Sequence, residues 1–249
     1  MVKEILKKLR HRITGVNNDT TVEEISTIEE LGDIRDNLDG HYKIVEPIDA
    51  SPTETWNNGR GFKPIGTVEN PFTGRIEGDE NLISGLTINR PDEDYVGLIG
   101  VAGEDAEVNE IYLDYVNIVG SDYVGSVFGD NFGHSHISFT SGSVQGERFV
   151  GGVAGSNTGL AQEGISLCSV DGEYSVGGFV GENIGTVECC FADFDNNDFE
   201  NADSKHSGYL IGTNSGRVLD DEIKRRIEST TDGELVEIGK NEGVVKERD

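Results

Sequence analysis

The sequence predicts an all-β fold, a right-handed parallel β-helix, on three observations. A glycine-punctuated motif recurs at a nearly fixed period, each copy carries one apolar residue at the same register, and each copy is followed by a segment that alternates apolar and polar residues. A recurrence of about 20 to 50 residues marks stacked units, each of which buries its apolar face only against its neighbours.

The regular copies are SVFGDNFG ending at Gly133, GVAGSNTG ending at Gly159, GFVGENIG ending at Gly185 and YLIGTNSG ending at Gly216; a degenerate first copy, YVGLIG, ends at Gly100. The shared glycines Gly100, Gly129, Gly155, Gly181 and Gly212 are 29, 26, 26 and 31 residues apart. Val127, Val153, Phe179 and Leu210 share one register and predict a very short strand packed inward. Glycine at the fourth and eighth positions suits a corner with positive φ or a crowded backbone. Asn131, Asn157, Asn183 and Asn214 between those glycines tolerate left-handed conformations and bond their own backbone. Repeated at one corner, they are expected to stack amide on amide, a structural ladder rather than a reactive site.

After each corner comes a second predicted strand, beginning at Ile111, Ile137, Ile165 and Val187, whose alternation fits one buried face. With coils about 4.8 Å apart, six or so coils make a rod on the order of 30 Å long.

The runs YVGSVFGDNFG, FVGGVAGSNTG and YSVGGFVGENIG resemble the GLUG motif, a repeat of β-helical regions in large secreted peptidases and adhesins. The resemblance reaches upstream through residues 70–100 to a capping segment at IEELGDIRDNLDGHYKIVEPIDA, and so covers about residues 23–216. It implies the fold and a supporting or displaying role, and it carries no catalytic residues.

The two ends read differently. Val2, Ile5, Leu6, Leu9 and Ile13 fall on one helical face, with Lys3, Lys7, Lys8, Arg10 and Arg12 around them. Such a short basic amphipathic helix serves as a cap over the open solenoid end, as a docking peg for another structural protein or for copies of itself, or as a membrane-surface helix; the linker GVNNDTT favours the peg. From Asp220 a helical turn is predicted, and from Glu234 a hairpin turning around Lys240 to Gly243. The hairpin caps the last coil or pairs with another subunit, consistent with a homo-oligomer, a trimer by analogy with fibrous display proteins. The chain thus divides into a helix and linker (1–22), a capping segment (23–69), the β-helix (70–216) and a C-terminal cap or oligomerisation segment (217–249).

Composition adds an environment. With 47 Asp plus Glu against 20 Lys plus Arg, the formal charge is −27. That excess repels itself in dilute buffer and is screened in molar salt, where the Debye length falls to about 3 Å, so a halophilic setting is expected. No basic stripe offers a nucleic-acid surface, no apolar run is long enough to span a membrane, and the basic start runs into polar residues without a secretory apolar core.

Candidates for chemistry are few. Asp193, Asp195, Asn197 and Asp198 gather oxygens that suit calcium, without the glycine and terminal glutamate of a calcium loop; no other cofactor is expected. His134 and His136 share a strand face and lack a third metal ligand. Cys168 and Cys190 align on adjacent coils if Ile165 matches Val187, which admits a disulfide, whereas Cys189 is unmatched. Asp92, Glu93 and Asp94 with Arg90 read as a coil corner.

The expectation from sequence is a non-enzymatic structural and attachment protein. It would be a rod anchored by its N-terminal helix on a virion surface (spike, turret or tail fibre of a virus of a halophilic host), made in the cytoplasm without a signal peptide and presented to a host cell-surface glycan or protein. The alternatives are a carbohydrate-active β-helix that binds or cleaves surface glycans, and a cell-surface adhesin fragment.

Overall fold

The computed structural model describes residues 21–192, 207–208, 210–219, 238–241 and 244–246. Among them the chain winds into a parallel β-solenoid whose strands form sheets of 14, 6 and 4 members. The 6-stranded sheet stacks Ile99–Ala102, Phe128–Asn131, Ala154–Asn157, Val180–Asn183, Ile211–Asn214 and Ile238–Asn241. The 4-stranded sheet stacks Asp122–Val124, Arg148–Gly151, Tyr174–Gly177 and Ser207–Gly208. The largest sheet runs from Val22–Ile25 and His41–Ile44 through the long strands Glu107–Val119 and His134–Gln145 to Arg217–Leu219 and Val244–Lys246.

The sequence period is a strand register. Phe128 pairs with Ala154, Ala154 with Val180 and Val180 with Ile211, while Asn131, Asn157, Asn183 and Asn214 follow one another along the same stack. Val127, Val153, Phe179 and Leu210 are each at most 2% exposed and form the inner wall. Burial alternates along Ile165–Asp171, as a strand with one covered face requires.

Glycine is needed at the repeat positions for close approach and not for positive φ. A Cβ on Gly155 would lie 2.4 Å from the carbonyl carbon of Tyr123, and one on Gly159 would lie 2.1 Å from the carbonyl oxygen of Gly133 one rung below. Neither glycine has positive φ.

Three expectations are corrected. The hairpin around Lys240 is replaced by one more rung: Ile238–Asn241 pairs in parallel with Ile211–Asn214, and Val244–Lys246 with Arg217–Leu219. The reason is legible in the chain, because IGKNEG ending at Gly243 repeats IGTNSG ending at Gly216, with Gly239 falling 27 residues after Gly212. Next, the second strands are offset from the predicted alignment. Tyr112 pairs with Phe139, Phe139 with Ile165 and Ile165 with Phe191, whereas Val187 pairs with Ala161 on a separate short strand. Cys168 therefore faces Gly142 and not Cys190, and no disulfide joins the two. Finally, the parallel stack reaches back beyond residue 70, since Val22–Ile25 pairs with His41–Ile44 and that strand with Arg75–Glu77.

Between the first two strands sits the helix Ile28–Asp33, capped by the Thr27 hydroxyl, which accepts from the Glu30 N–H, while the Glu30 carboxylate accepts from the Ser26 N–H. Its Ile28 and Leu31 are buried in the core. The basic segment 1–13, the acidic loop 193–198 and the helical turn from Asp220 lie outside the described residues.

Candidate functional site

The sheet that begins at Asp122–Val124 carries an unusual backbone. Tyr95, Tyr123, Phe149 and Ser175 occupy equivalent places on successive rungs, each just before the valine that continues the rung, and have φ of 59°, 58°, 57° and 58°. A left-handed L-residue costs about 1–2 kcal/mol, more for a bulky one. The three aromatic ones stack their rings: Tyr95 lies on Tyr123 with centroids 4.8 Å apart and planes 3° apart, and Tyr123 on Phe149 at 4.7 Å and 16°. Ser175 shares the conformation without a ring, so the backbone is set by the rung and the stacking adds to it. Each such pair contributes about 0.5–1.5 kcal/mol beyond burial. Arg148 extends the edge, its guanidinium bonded to both Asp122 carboxylate oxygens.

Beside this stack runs one register line of the 6-stranded sheet: Val101, Asp130, Ser156, Glu182 and Thr213. The contact between stack and line is direct where Ser175 Oγ lies 2.7 Å from Thr213 Oγ1. Asp130 is 8% exposed, and its Oδ1 has no hydrogen-bond partner. Burial pushes its carboxyl up to about 6, with a hydrogen bond from Ser156 working against the rise and the negative charge of Glu182 adding to it. Burial also raises Glu182.

At the head of the stack, Tyr95 and Asp130 share the lining of a cavity of about 300 Å³. Val68, Pro71, Val101 and Phe132 supply its apolar walls, and Glu104 also lines it. A partly apolar cavity with one buried titratable group of displaced pKa is where a ligand site is expected.

Neither the stack nor Asp130 was singled out by sequence reasoning. The signal was an aromatic residue before the conserved-register valine in DYVG, DYVG and RFVG, ending at Gly97, Gly125 and Gly151.

The asparagines predicted at the corner lie in one ladder. Asn131 Nδ2 donates to Asn157 Oδ1 at 2.9 Å, Asn157 to Asn183 at 2.9 Å, and Asn183 to Asn214 at 2.8 Å. His134 Nε2 lies 2.8 Å from Gln162 Oε1, and His136 lies 3.8 Å from Glu163. Among the described residues no three His, Cys, Asp or Glu side chains gather as metal ligands. Arg90 is buried, donating to the Phe62 carbonyl and pairing with Glu93, while Arg60 bridges Asp92 and Glu93, so this corner is an ion-pair clamp. Cys168 is buried and its thiol is pushed up to about 11 by burial, which removes it from thiolate chemistry.

Two proteins are similar to parts of this chain. Halomucin of Haloquadratum walsbyi is 38% identical over 93 residues, 36% of this chain and 1% of that protein. A protein of Evansella cellulosilytica described as a Gly-rich membrane protein is 38% identical over 114 residues, 44% of this chain and 13% of that protein. This chain therefore corresponds to a small part of each relative's length. No family model matches the chain, and no solved structure matches it.

Proposed function

We propose that this protein is a non-enzymatic structural and attachment element of a cell surface, a stiff β-solenoid that presents its flank to a partner. The observation that carries the reading is the stacking of parallel rungs among the described residues, tied by the asparagine ladder, in a chain similar to segments of far longer proteins named as a mucin and as a membrane protein. A repeated rung gives a rod whose outer positions recur at a fixed spacing, so weak polar contacts add along its length.

Two features support the setting. The formal charge of −27 suits a surface bathed in concentrated salt. The names of the two relatives favour a cell surface over the virion surface expected from a display-type fold that starts without a secretory signal. Anchoring through residues 1–13 and assembly into a homo-oligomer belong to the same reading. Light scattering in molar salt on the full chain and on a version lacking residues 1–13 tests them, the expected outcome being an oligomer that the deletion dissociates.

The surface assignment is tested by probing intact producing cells with an antibody raised against the folded solenoid. Labelling before permeabilisation is the expected result. Labelling only after permeabilisation, or only on released particles, overturns it.

A further inference from the structure

We propose that the cavity at the head of the aromatic stack binds an alkylammonium group, its charge taken by the Asp130 carboxylate and its carbon chain packed against Tyr95, Phe132 and Pro71. Three properties of the cavity select this chemistry over others.

First comes charge. Asp130 lines the cavity and is more than nine-tenths buried, and its Oδ1, with less than 1 Å² open to solvent, has no partner among the described residues. Among the described residues the groups acting on it are Ser156, Glu182 and the Asn131 backbone, none of them cationic. A buried carboxylate without a counter-charge calls for a cation or takes up a proton. Glu104 lines the same space and adds a second negative charge, and among the described residues no lysine or arginine lines it, which weighs against an anionic ligand.

Second, the walls are carbon. Val68, Pro71, Val101 and Phe132 line the space and Tyr95 contributes a ring. A sugar, with hydroxyls around its whole periphery, would set most of them against carbon with no partner, at a cost for each. A bare divalent cation requires six or more oxygens, and among the described residues two carboxylates line the space. An organic cation with an N–H and an aliphatic tail satisfies both the carboxylate and the carbon, and an aromatic wall adds attraction for the charge.

Third is size. About 300 Å³ is at the small end of ligand pockets and takes a group of side-chain dimensions. The alkylammonium comes either as a free small amine or as a lysine side chain of a partner protein.

Calorimetric titration of the full-length protein in molar KCl tests the site, because a buried ion pair is screened far less than an exposed one. The probes are n-butylammonium, Nα-acetyl-lysine methylamide, n-butanol and glucose, at pH 7.5 and pH 5. Expected is at least tenfold tighter binding of the two amines than of butanol or glucose at pH 7.5. At pH 5 the amines should weaken several-fold while butanol is unchanged, since the titrating group is Asp130, set among Ser156, Glu182, Tyr95, Tyr123 and Glu104. Asp130→Asn, which keeps the shape and removes a buried charge, should bring the amines down to the level of butanol. Val68→Lys, at a position 57% exposed and so harmless to folding, should block amine binding by tethering an ammonium at the rim. Equal affinity of the two amines assigns the site to free amines, and preference for the lysine derivative assigns it to a protein side chain. Butanol or glucose binding as tightly as the amines, amine binding that survives Asp130→Asn, or no binding of either amine overturns the proposal.

Discussion

Asn157 donates from Nδ2 to Asn183 Oδ1 at 2.9 Å, and both side chains are wholly shielded from solvent. The same Nδ2 reaches the Thr186 carbonyl at 3.1 Å, and Asn157 Oδ1 accepts from Asn131. One amide thereby joins three rungs. An amide is suited to this because it donates and accepts on one plane, so each rung passes the bond to the next.

Asn157→Ala should therefore cost about 2–4 kcal/mol, more than a lost hydrogen bond, because it strands a buried donor on Asn131 and a buried acceptor on Asn183. The midpoint of guanidinium unfolding, compared at equal slope, measures it. A loss under 1 kcal/mol would mean that the ladder follows from the fold without stabilising it.

Gly155→Ala should be as damaging although it adds only a methyl group. Its Cβ would meet the Tyr123 carbonyl carbon at 2.4 Å and the Val124 nitrogen at 2.5 Å, and both are backbone atoms, so neither can rotate away. Overpacking of this kind costs about 1–3 kcal/mol where the surroundings yield, and here they yield little. Proteolysis resistance and the unfolding midpoint should both fall.

These two positions show what the sequence discloses and where it stops. Gly155 and Asn157 recur at each rung because the same backbone crowding and the same amide bond recur, so the period exposed them without any structure. The terminal rung at Ile238–Asn241 was equally available as IGKNEG, but a two-strand pattern around Lys240 to Gly243 matches a local turn as readily as a distant parallel partner. Local pattern carries no partner identity. Asp130 was hidden for a different reason. Its register line reads Val101, Asp130, Ser156, Glu182, with no repeated chemistry, and its singular environment comes from the cavity beside it. The halves of the candidate site thus differ in legibility: the aromatic stack is periodic, whereas the carboxylate is a departure from the period.

Tyr115→Asn should stabilise the protein by about 0.5–1 kcal/mol, since left-handed backbone is less costly for Asn than for a bulky aromatic. Tyr115 has φ of 54° and is 77% exposed, so its ring contributes little packing. It sits where the pairing of Glu107–Val119 with His134–Gln145 shifts register, and its N–H bonds the Ser141 hydroxyl, a contact that Asn retains. Thermal unfolding of the single variant measures the gain. A loss would show that the exposed ring is held by contacts beyond this chain's own strands.

The last expectation concerns pH and separates Asp130 from the other carboxylates. Its pKa is raised from 3.8 to about 6 in the folded state, so between those values the folded protein holds a proton that the unfolded chain has released. Stability from this group is then present below 3.8 and lost as pH rises through about 6. The shift corresponds to about 3 kcal/mol. Glu30, Asp49 and Asp92 are lowered by hydrogen bonds, led by Ser26, Ser51 and Arg60 respectively, and act in the opposite sense, losing stability as pH falls. The total curve mixes both kinds, so the informative quantity is the difference between the native protein and Asp130→Asn. That substitution should stabilise the fold by up to about 3 kcal/mol at pH 8 and by almost nothing at pH 4, with the change centred between pH 4 and 6. Urea midpoints across that range measure it. A difference independent of pH would mean that Asp130 stays charged throughout, already paired with a cation in solution. Adding n-butylammonium should shrink the pH 8 difference, since a bound cation stabilises the charged carboxylate of the native protein and leaves the variant unaffected.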